Sequence, residues 1–228
     1  MTDPLMSGIK ACVFDAYGTL FDVHSAVGRL RDEIGPKADE LSRLWRSKQL
    51  EYTWLRALMG KHENFWQVTG DALDYALAST GVGTPPIRQK LMEAYLTLDA
   101  YDEVPAMLTR LKAAGMKLAI LSNGEPDMLD AAVKGAGIDD VLDHVLSVET
   151  VGIYKPHPSV YQLAIDRLDV SAAAVSFQSS NAWDVNGASS FGLRPVWINR
   201  FGAPAERLPG GAEHEMADLN GLADLIGA

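Results

Sequence analysis

The chain has 228 residues, of which 30 are acidic, 20 are basic and 47% are hydrophobic, so its formal net charge at pH 7 is −10. This apolar content disfavours intrinsic disorder, and the acidic balance disfavours nucleic acid and anionic membranes as main partners. The length allows one large domain or a core with a smaller insertion, and the single cysteine, Cys12, excludes an intrachain disulfide and a multi-cysteine zinc site.

The beginning of the sequence does not resemble a targeting segment. An acid and a proline stand within residues 1–5, where a signal peptide carries basic residues followed by a long apolar stretch. The longest apolar runs are far shorter than the roughly 20 residues that cross a bilayer. We therefore expect a cytoplasmic protein.

Short apolar runs rich in strand-forming residues alternate with helical patterns over most of the chain. The predicted strands are residues 9–14, 116–121, 144–148, 173–177 and 193–198. The predicted helices between them are residues 105–115, 158–168 and 183–191. This alternation predicts an α/β fold, a Rossmann-like doubly wound parallel sheet with helices on both faces.

One long stretch, residues 23–101, interrupts the alternation. It contains no convincing strand, and side chains that suit one buried helix face recur at helical spacing, namely Leu41, Leu44, Trp45, Lys48, Tyr52, Leu55 and Met59. A loop rich in Gly and Pro at residues 81–86 leads into a further helix that begins near Ile87. We predict a helical cap subdomain at residues 23–101, inserted into an α/β core formed by residues 1–22 and 102–228.

Polar residues follow the predicted strands directly. Ligands of a doubly wound sheet bind beyond the carboxyl ends of its strands, so these positions are the candidates for a functional site. The stretches concerned are residues 15–22, 122–124, 154–156 and 179–184. Together they bring two carboxylates, one lysine and several hydroxyl and amide groups to one edge of the sheet.

Asp15 and Lys155 each allow a structural as well as a catalytic interpretation. A carboxylate directly after a buried strand is costly unless something pairs with it. Asp15 fits a turn aspartate that bonds the backbone of Tyr17 or Gly18, and it also fits an ionised nucleophile held by the Lys155 ammonium. Lys155 by itself also fits a surface lysine ahead of a helix that begins near a proline.

The other polar positions stay open on local sequence in the same way. Residues 122–126 are typical of a loop that leads into a helix N-terminus, where free amides favour an anion, but Ser122 or Asn123 also suits a plain capping role. Asp184 is suited to orient or deprotonate a water, and it is equally suited to stabilise a helix dipole from the first turn.

The four stretches together resemble a known family. Residues 15–22 (DAYGTLFD), 122–124 (SNG), 154–156 (YKP) and 179–184 (SSNAWD) are similar to the four signature stretches of the haloacid dehalogenase superfamily. More narrowly, they resemble the L-2-haloacid dehalogenases (type II), and residues 45–54 (WRSKQLEYTW) match this subfamily within the cap. The resemblance covers nearly the whole chain, including a cap insertion of the expected size and position.

Two departures distinguish the sequence from most of that superfamily, whose members are magnesium-dependent phosphotransferases. Tyr17 stands where they carry a second aspartate, and Ser179, Ser180 and Asn181 precede a single Asp184 where they usually have an acidic pair for the metal. The resemblance therefore implies a dehalogenase that uses no metal and no cofactor. A magnesium-dependent phosphatase of the same superfamily and a non-catalytic binding relative remain as alternatives.

The resemblance implies hydrolysis in two displacements. Asp15 attacks the α-carbon of an L-2-haloalkanoate and expels halide, and water then attacks the resulting ester to release the D-2-hydroxy acid with inverted configuration. Lys155 is implied to hold and polarise Asp15. The residues implied to position and activate the water are Asp184, Ser179 and Asn181.

The remaining implied roles concern substrate binding. Arg46 in the cap is implied to receive the departing halide, although a helix cation otherwise usually keeps its charge in solvent. The donors that orient the nucleophile and the substrate carboxylate are Thr19, Ser122 and Asn123. The apolar wall around the alkyl group is formed by Tyr17, Leu50, Phe65 and Trp183. Aromatic and aliphatic residues at such spacing also suit a plain core.

The implied partners are a small 2-haloacid substrate and its halide product, with neither nucleic acid nor membrane. The apolar cap helices predict a homodimer, as in relatives. The same apolar stripe also suits packing within one chain.

Overall fold

A computed structural model describes residues 5–228, so the expectation about a targeting segment, made on residues 1–5, lies outside the described part except for Leu5. The strands are β1 (Ala11–Phe14), β2 (Lys117–Ser122), β3 (His144–Ser147), β4 (Val175–Ser179), β5 (Arg194–Ile198) and β6 (His214–Met216). They form one parallel sheet in the order β3-β2-β1-β4-β5-β6. The predicted α/β fold with a parallel sheet is confirmed.

Helices connect all the strands except β5 and β6, and they fill the long stretch after β1. That stretch holds α1 (Ser25–Arg29), α2 (Arg31–Ile34), α3 (Ala38–Met59), α4 (Phe65–Thr80) and α5 (Pro85–Tyr95). The other helices are α6 (Val104–Ala113), α7 (Pro126–Gly135), α8 (Pro158–Leu168), α9 (Ala182–Phe191) and α10 (Leu222–Ile226). None of the helices between residues 5 and 228 has the length and apolar content needed to span a membrane.

The central strands β1 and β4 are buried along their whole length. A parallel sheet is covered by helices on both faces, which explains why these strands are apolar runs without alternation. Cys12 lies fully buried in β1, and burial raises the pKa of its thiol to about 12. This cysteine is therefore a small core residue with an unreactive thiol.

Local capping sets the helix boundaries in the long stretch. The Asn64 side chain accepts a hydrogen bond from the Gln67 amide at 2.9 Å and so starts α4. Thr84 accepts from the Ile87 amide at 3.4 Å, and Pro85 takes the first helical position. The helix expected near Ile87 therefore begins two residues earlier.

The strands differ from the predicted ones in their bounds and in number. The strand expected at residues 9–14 begins at Ala11. The strand expected at residues 173–177 begins at Val175, because Ala172–Ala174 form a turn of 3₁₀ helix, and it extends to Ser179. Strand β6 was not predicted at all. It has three residues and no apolar run, and it owes its conformation to pairing with β5, a tertiary contact that local sequence does not reveal.

The segment that leaves the sheet, residues 20–22, and the segment that returns to it, residues 99–101, lie side by side and are hydrogen-bonded. We call this pair of segments the crossing. The Asp22 amide donates to the Asp99 carbonyl at 2.8 Å, and the Tyr101 amide donates to the Leu20 carbonyl at 3.0 Å. Phe21 and Ala100 form an antiparallel bridge between these two bonds. We place the proposed boundary between core and cap at this crossing.

Candidate active site

The site lies at the carboxyl edge of the sheet because all strands are parallel and their ends meet there. Asp15 follows β1, Ser122 ends β2 and Ser179 ends β4. All three side chains are buried. Buried polar groups are normally hydrogen-bonded, so the polar side chains at this edge are expected to bond to one another.

Asp15 is held on both carboxylate oxygens. Its Oδ2 accepts hydrogen bonds from Asn181 Nδ2 at 2.7 Å, Thr19 Oγ1 at 3.2 Å and Ser179 Oγ at 3.3 Å. Its Oδ1 accepts from Lys155 Nζ at 3.2 Å. Three neutral donors thus fix one oxygen, and an ammonium lies beside the other.

Lys155 is shared by two carboxylates. Its side chain is 1% exposed, and Nζ lies 2.8 Å from Asp184 Oδ2 as well as 3.2 Å from Asp15 Oδ1. Burial lowers the pKa of Lys155, but the charges of Asp15 and Asp184 outweigh that effect and raise it above its usual value. The lysine is therefore a cation at neutral pH.

Asp184 is fully buried behind this lysine. Its Oδ1 accepts from the Tyr161 hydroxyl at 2.7 Å, and its Oδ2 accepts from Lys155. Burial raises the pKa of Asp184 to about 6, although Lys155 acts to lower it. A carboxylate has about four acceptor sites, so Asp184 retains the capacity to accept from a further donor.

Tyr161 is a site residue that the sequence did not reveal. It lies on α8 with its side chain fully buried, and a tyrosine in an apolar helical pattern is typical of core. The available signal is Gly187 in the middle of α9, because a Cβ there would lie 2.5 Å from Tyr161 Oη and 2.6 Å from Pro156 Cβ. A glycine inside a helix marks such a close approach.

A tight turn after β1 brings Thr19 back to Asp15. Gly18 has φ +92°, and its amide donates to the Phe21 carbonyl at 2.7 Å. Thr19 Oγ1 donates to Asp15 and accepts from the Ser180 amide at 2.8 Å. The hydroxyl therefore links the β1 and β4 loops.

The side chains of Ser122 and Asn123 accept hydrogen bonds from backbone amides. Ser122 Oγ accepts from the Gly124 amide at 3.1 Å, and Asn123 Oδ1 accepts from the Lys155 amide at 3.1 Å. Asn123 thus fixes the segment that carries Lys155. Their predicted role toward a substrate carboxylate stays a prediction.

Arg46 reaches from α3 to the sheet edge. Its Nη2 lies 3.2 Å from the Tyr17 carbonyl and 3.2 Å from Asn181 Oδ1, and its Nη1 donates to Gln49 Oε1 at 2.8 Å. The charge is therefore turned toward the β1 and β4 loops. Gln49, which the sequence interpretation missed, orients this guanidinium.

Aromatic rings line the boundary between the helices of residues 23–101 and the sheet edge. The Tyr17 ring lies 5.7 Å from the rings of Phe65 and Tyr95, measured between centroids, and Trp183 lies 5.3 Å from Trp54. Leu50 is half-buried on α3. Its placement against substrate, like that of Phe65 and Trp183, stays a prediction.

Three of these aromatic residues carry buried donors that lack a partner within residues 5–228: Tyr17 Oη, Trp54 Nε1 and Trp183 Nε1. Buried polar atoms are normally hydrogen-bonded, so such donors are available to a bound small molecule or water. Burial raises the pKa of Tyr17 well above its usual value, which keeps its hydroxyl protonated.

The donor set does not fit the magnesium ion that most of the superfamily uses. Magnesium takes oxygen ligands, chiefly carboxylates and waters. Here Lys155 lies between Asp15 and Asp184, and Tyr161 donates to the other Asp184 oxygen. Over the described residues, no three His, Cys, Asp or Glu side chains form a metal-binding group. We assign no step to a metal.

Comparison with known proteins points to one family. Residues 9–192 match the family model of the haloacid dehalogenase-like hydrolases. The chain is 48% identical over 222 residues to (S)-2-haloacid dehalogenase 1 of Pseudomonas sp. (strain CBS-3), covering 97% of this chain and 98% of that protein.

Solved structures agree with this match. A crystal structure of a dehalogenase superposes with a TM-score of 0.95 at 47% identity and covers 100% of both chains. The L-2-haloacid dehalogenase of Xanthobacter autotrophicus with chloropropionic acid covalently bound gives a TM-score of 0.87 at 38% identity, covering 95% of this chain and 98% of that one.

Proposed function

The chain belongs to the haloacid dehalogenase-like hydrolases, and we propose that it hydrolyses L-2-haloalkanoic acids to D-2-hydroxy acids and halide, with inversion, through an ester on Asp15. The main support for this proposal is that the two carboxylate oxygens of Asp15 have different hydrogen-bond donors. Three neutral donors fix Oδ2, while Oδ1 faces the shared ammonium of Lys155. A carboxylate held in this way is oriented for attack through one oxygen.

In the first step Asp15 Oδ1 displaces the halide. The new bond joins Oδ1 to the substrate α-carbon, and the carbon–halogen bond breaks with its electron pair on the halide. Arg46 carries the positive charge that receives this anion, because its guanidinium already lies at the Asn181 amide that holds Asp15. A preorganised cation at the point where charge develops is the main source of rate enhancement in such a step.

In the second step water attacks the carboxyl carbon of the Asp15 ester. The bond from that carbon to Oδ1 breaks, and Oδ1 leaves as the hydroxyl oxygen of the 2-hydroxy acid. The water oxygen restores the Asp15 carboxylate, while one proton of the water passes to Oδ1 and the other to solvent. Asp184 accepts the proton that the attacking water loses first, since it shares Lys155 with Asp15 and has a pKa raised to about 6 by burial. Ser179 and Asn181 donate to Oδ2, which becomes the carbonyl oxygen of the ester, and so keep the ester in place.

The substrate's carboxylate and alkyl group occupy the opposite side of Asp15 in this proposal. The loop at Ser122 and Asn123 leads to the N-terminus of α7 at Pro126, where free backbone amides favour an anion. The aromatic boundary formed by Tyr17, Phe65 and Trp183, together with Leu50, surrounds the alkyl group. Exclusion of water by these rings strengthens the electrostatic contacts during displacement.

A substrate assay tests the proposal. The protein is incubated with L- and D-2-chloropropionate and with a generic phosphate ester, each with and without a chelator, and chloride and phosphate are measured. We expect chloride release from the L-enantiomer alone, unchanged by the chelator. Phosphate release that the chelator abolishes would support the magnesium-dependent phosphatase, and no release at all would support a non-catalytic relative.

The Tyr161 hydroxyl provides a prediction about pH. It stabilises the charged form of Asp184, so replacing Tyr161 by Phe raises the Asp184 pKa further. Asp184 acts as a base and is competent only above its pKa. The acidic limb of the kcat profile, which reports protonation of Asp184, should therefore shift to higher pH in Y161F.

The shift is measured by kcat between acidic and neutral pH with saturating L-2-chloropropionate. Tyr75→Phe, a half-exposed tyrosine on α4, is the matched control and should leave the limb in place. A limb that stays put or shifts to lower pH in Y161F contradicts the role of Asp184.

We further propose a homodimer and a cytoplasmic location. The last turns of α3 expose Leu55, Leu58 and Met59, and Leu58 is 85% exposed. Contiguous apolar residues on a surface mark an interaction site, and a second copy of the chain would cover them by two-fold symmetry. The location rests on the single free cysteine, Cys12.

Leu58→Glu tests this interface. A buried charge on each side of a symmetric contact should convert the dimer to a monomer at micromolar concentration. Sedimentation velocity measures this change, with Leu208→Glu, an exposed leucine in the loop between β5 and β6, as control. A wild-type protein that sediments as a monomer contradicts the proposal.

A further inference from the structure

A buried arginine lies at the same sheet edge but outside the cluster around Asp15. Arg200 follows β5, and its side chain is 8% exposed. Its Nη2 donates to the Thr19 carbonyl at 2.8 Å and lies 2.7 Å from Glu103 Oε1, while its guanidinium carbon lies 3.6 Å from the centroid of the Tyr101 ring. One guanidinium thus contacts three separate segments of the chain.

These three segments meet where the chain crosses between the sheet and the helices of residues 23–101. Thr19 belongs to the turn that precedes the outgoing segment, Tyr101 belongs to the returning segment, and Glu103 stands directly before α6. Glu103 is itself only 12% exposed. A buried charge is retained only when it is paired, and here Arg200 pairs with Glu103 and donates to the Thr19 carbonyl, while its Nε has no partner within residues 5–228.

Arg200 is linked to the nucleophile Asp15 through one intervening residue, Thr19. Arg200 holds the Thr19 carbonyl, and the hydroxyl of the same residue donates to Asp15 Oδ2 at 3.2 Å and accepts from the Ser180 amide at 2.8 Å. A shift of the Thr19 backbone therefore changes the donor set on Asp15. The planar guanidinium can stack on Tyr101 and donate in plane at the same time, which an ammonium cannot do.

We propose that Arg200, with Glu103 and Tyr101, is a positioning residue that holds the nucleophile turn against the crossing between core and cap. It acts on the reaction through Thr19 and does not touch the substrate. This inference rests on the proposed dehalogenase activity, since the rate of displacement at Asp15 is its readout.

The test compares Arg200→Lys with Arg194→Lys. Arg194 is a matched control because it also pairs with a glutamate, Glu213, and donates to a backbone carbonyl, Ser7 at 2.6 Å, but at the opposite end of β5. Misplacement of a reacting group by about 1 Å costs on the order of 100-fold in rate, so we expect kcat to fall about tenfold or more in R200K. KM should change much less, and R194K should keep the wild-type kcat.

A double variant separates positioning from a general loss of structure. If Arg200 acts through Thr19, adding R200K to Thr19→Val lowers kcat no further than Thr19→Val alone, because the hydroxyl that Arg200 positions is already gone. Glu103→Gln, which keeps the shape but weakens the hold on Arg200, should give a smaller loss in kcat at unchanged KM. It serves as the second variant if R200K does not fold.

The outcomes distinguish this inference from the proposed function. A wild-type enzyme that releases chloride, together with equal kcat in R200K and R194K, overturns the positioning role alone. Additive losses in the R200K and Thr19→Val double variant overturn it as well. A wild-type protein that releases no chloride from L-2-chloropropionate overturns both proposals.

Discussion

Replacing Asp15 by Asn is expected to lower chloride release from L-2-chloropropionate by on the order of 10⁴-fold or more, as for loss of a covalent nucleophile in other hydrolases. The amide keeps the shape of the side chain but lacks the charge and the nucleophilic oxygen. The donors on Oδ2, namely Asn181, Thr19 and Ser179, remain in place, so the protein should still fold.

The measurement is steady-state chloride release, with the intact mass recorded to detect deamidation of the introduced amide. Asp22→Asn is the matched control, because Asp22 lies in the same stretch and accepts from the His24 amide away from the Asp15 donors. D22N should retain activity within about threefold, as for a substitution that removes no interaction of the reacting groups. A D15N protein of verified mass that keeps a tenth of the wild-type rate contradicts the assignment of the nucleophile.

Replacing Lys155 by Met is expected to remove activity and to destabilise the protein. The two carboxylates of Asp15 and Asp184 would stay buried without their shared cation, and loss of one member of a buried ion pair costs about 3–5 kcal/mol. Without the ammonium to hold Asp15, kcat should fall by roughly 10³-fold, in line with the removal of other groups that act as a unit with a nucleophile.

The stability of this variant depends on pH in a defined direction. Without Lys155, burial and the nearby charge of Asp15 hold the pKa of the Asp184 carboxyl in the folded state above its unfolded value. Protonation then favours the folded state, and that stability is lost as pH rises through the folded pKa. The loss of stability of K155M relative to wild type should therefore be larger at pH 8 than at pH 5.

Melting temperatures of K155M and wild type at both pH values measure this effect. Lys112→Met is the control, because Lys112 pairs with Asp143 at 2.6 Å on the surface and such pairs contribute about 1 kcal/mol or less. A K155M deficit that is equal at the two pH values, or larger at pH 5, would show that the carboxylates do not depend on this lysine.

The sequence predicted the parts of the site that follow from the sheet. Parallel strands end at one edge, so the polar residues after each apolar run, such as Asp15 and Ser179, had to lie near one another once the α/β alternation was recognised. For Lys155, the distances exclude one of the two local interpretations. Lys155 is not a surface lysine, since its ammonium lies between two buried carboxylates.

Residues that act through tertiary contacts escaped prediction. Tyr161, Gln49 and Arg200 lie on helices or loops where a tyrosine is typical of core and a glutamine or arginine is typical of surface. Their partners are distant in sequence, as with Arg200 and Thr19, which are 181 residues apart. Periodicity and capping rules describe local conformation, and they carry no information about which distant groups a side chain meets.

The ester on Asp15 is tested most directly by a single-turnover reaction in ¹⁸O-water with enzyme in excess over L-2-chloropropionate. Because the product oxygen comes from Asp15 in the first turnover, we expect unlabelled 2-hydroxypropionate and a heavier tryptic peptide of residues 11–29, with the label localised to Asp15 by fragmentation. Product labelled in that first turnover, with Asp15 unlabelled, would show that water attacks the substrate itself and would contradict the covalent mechanism.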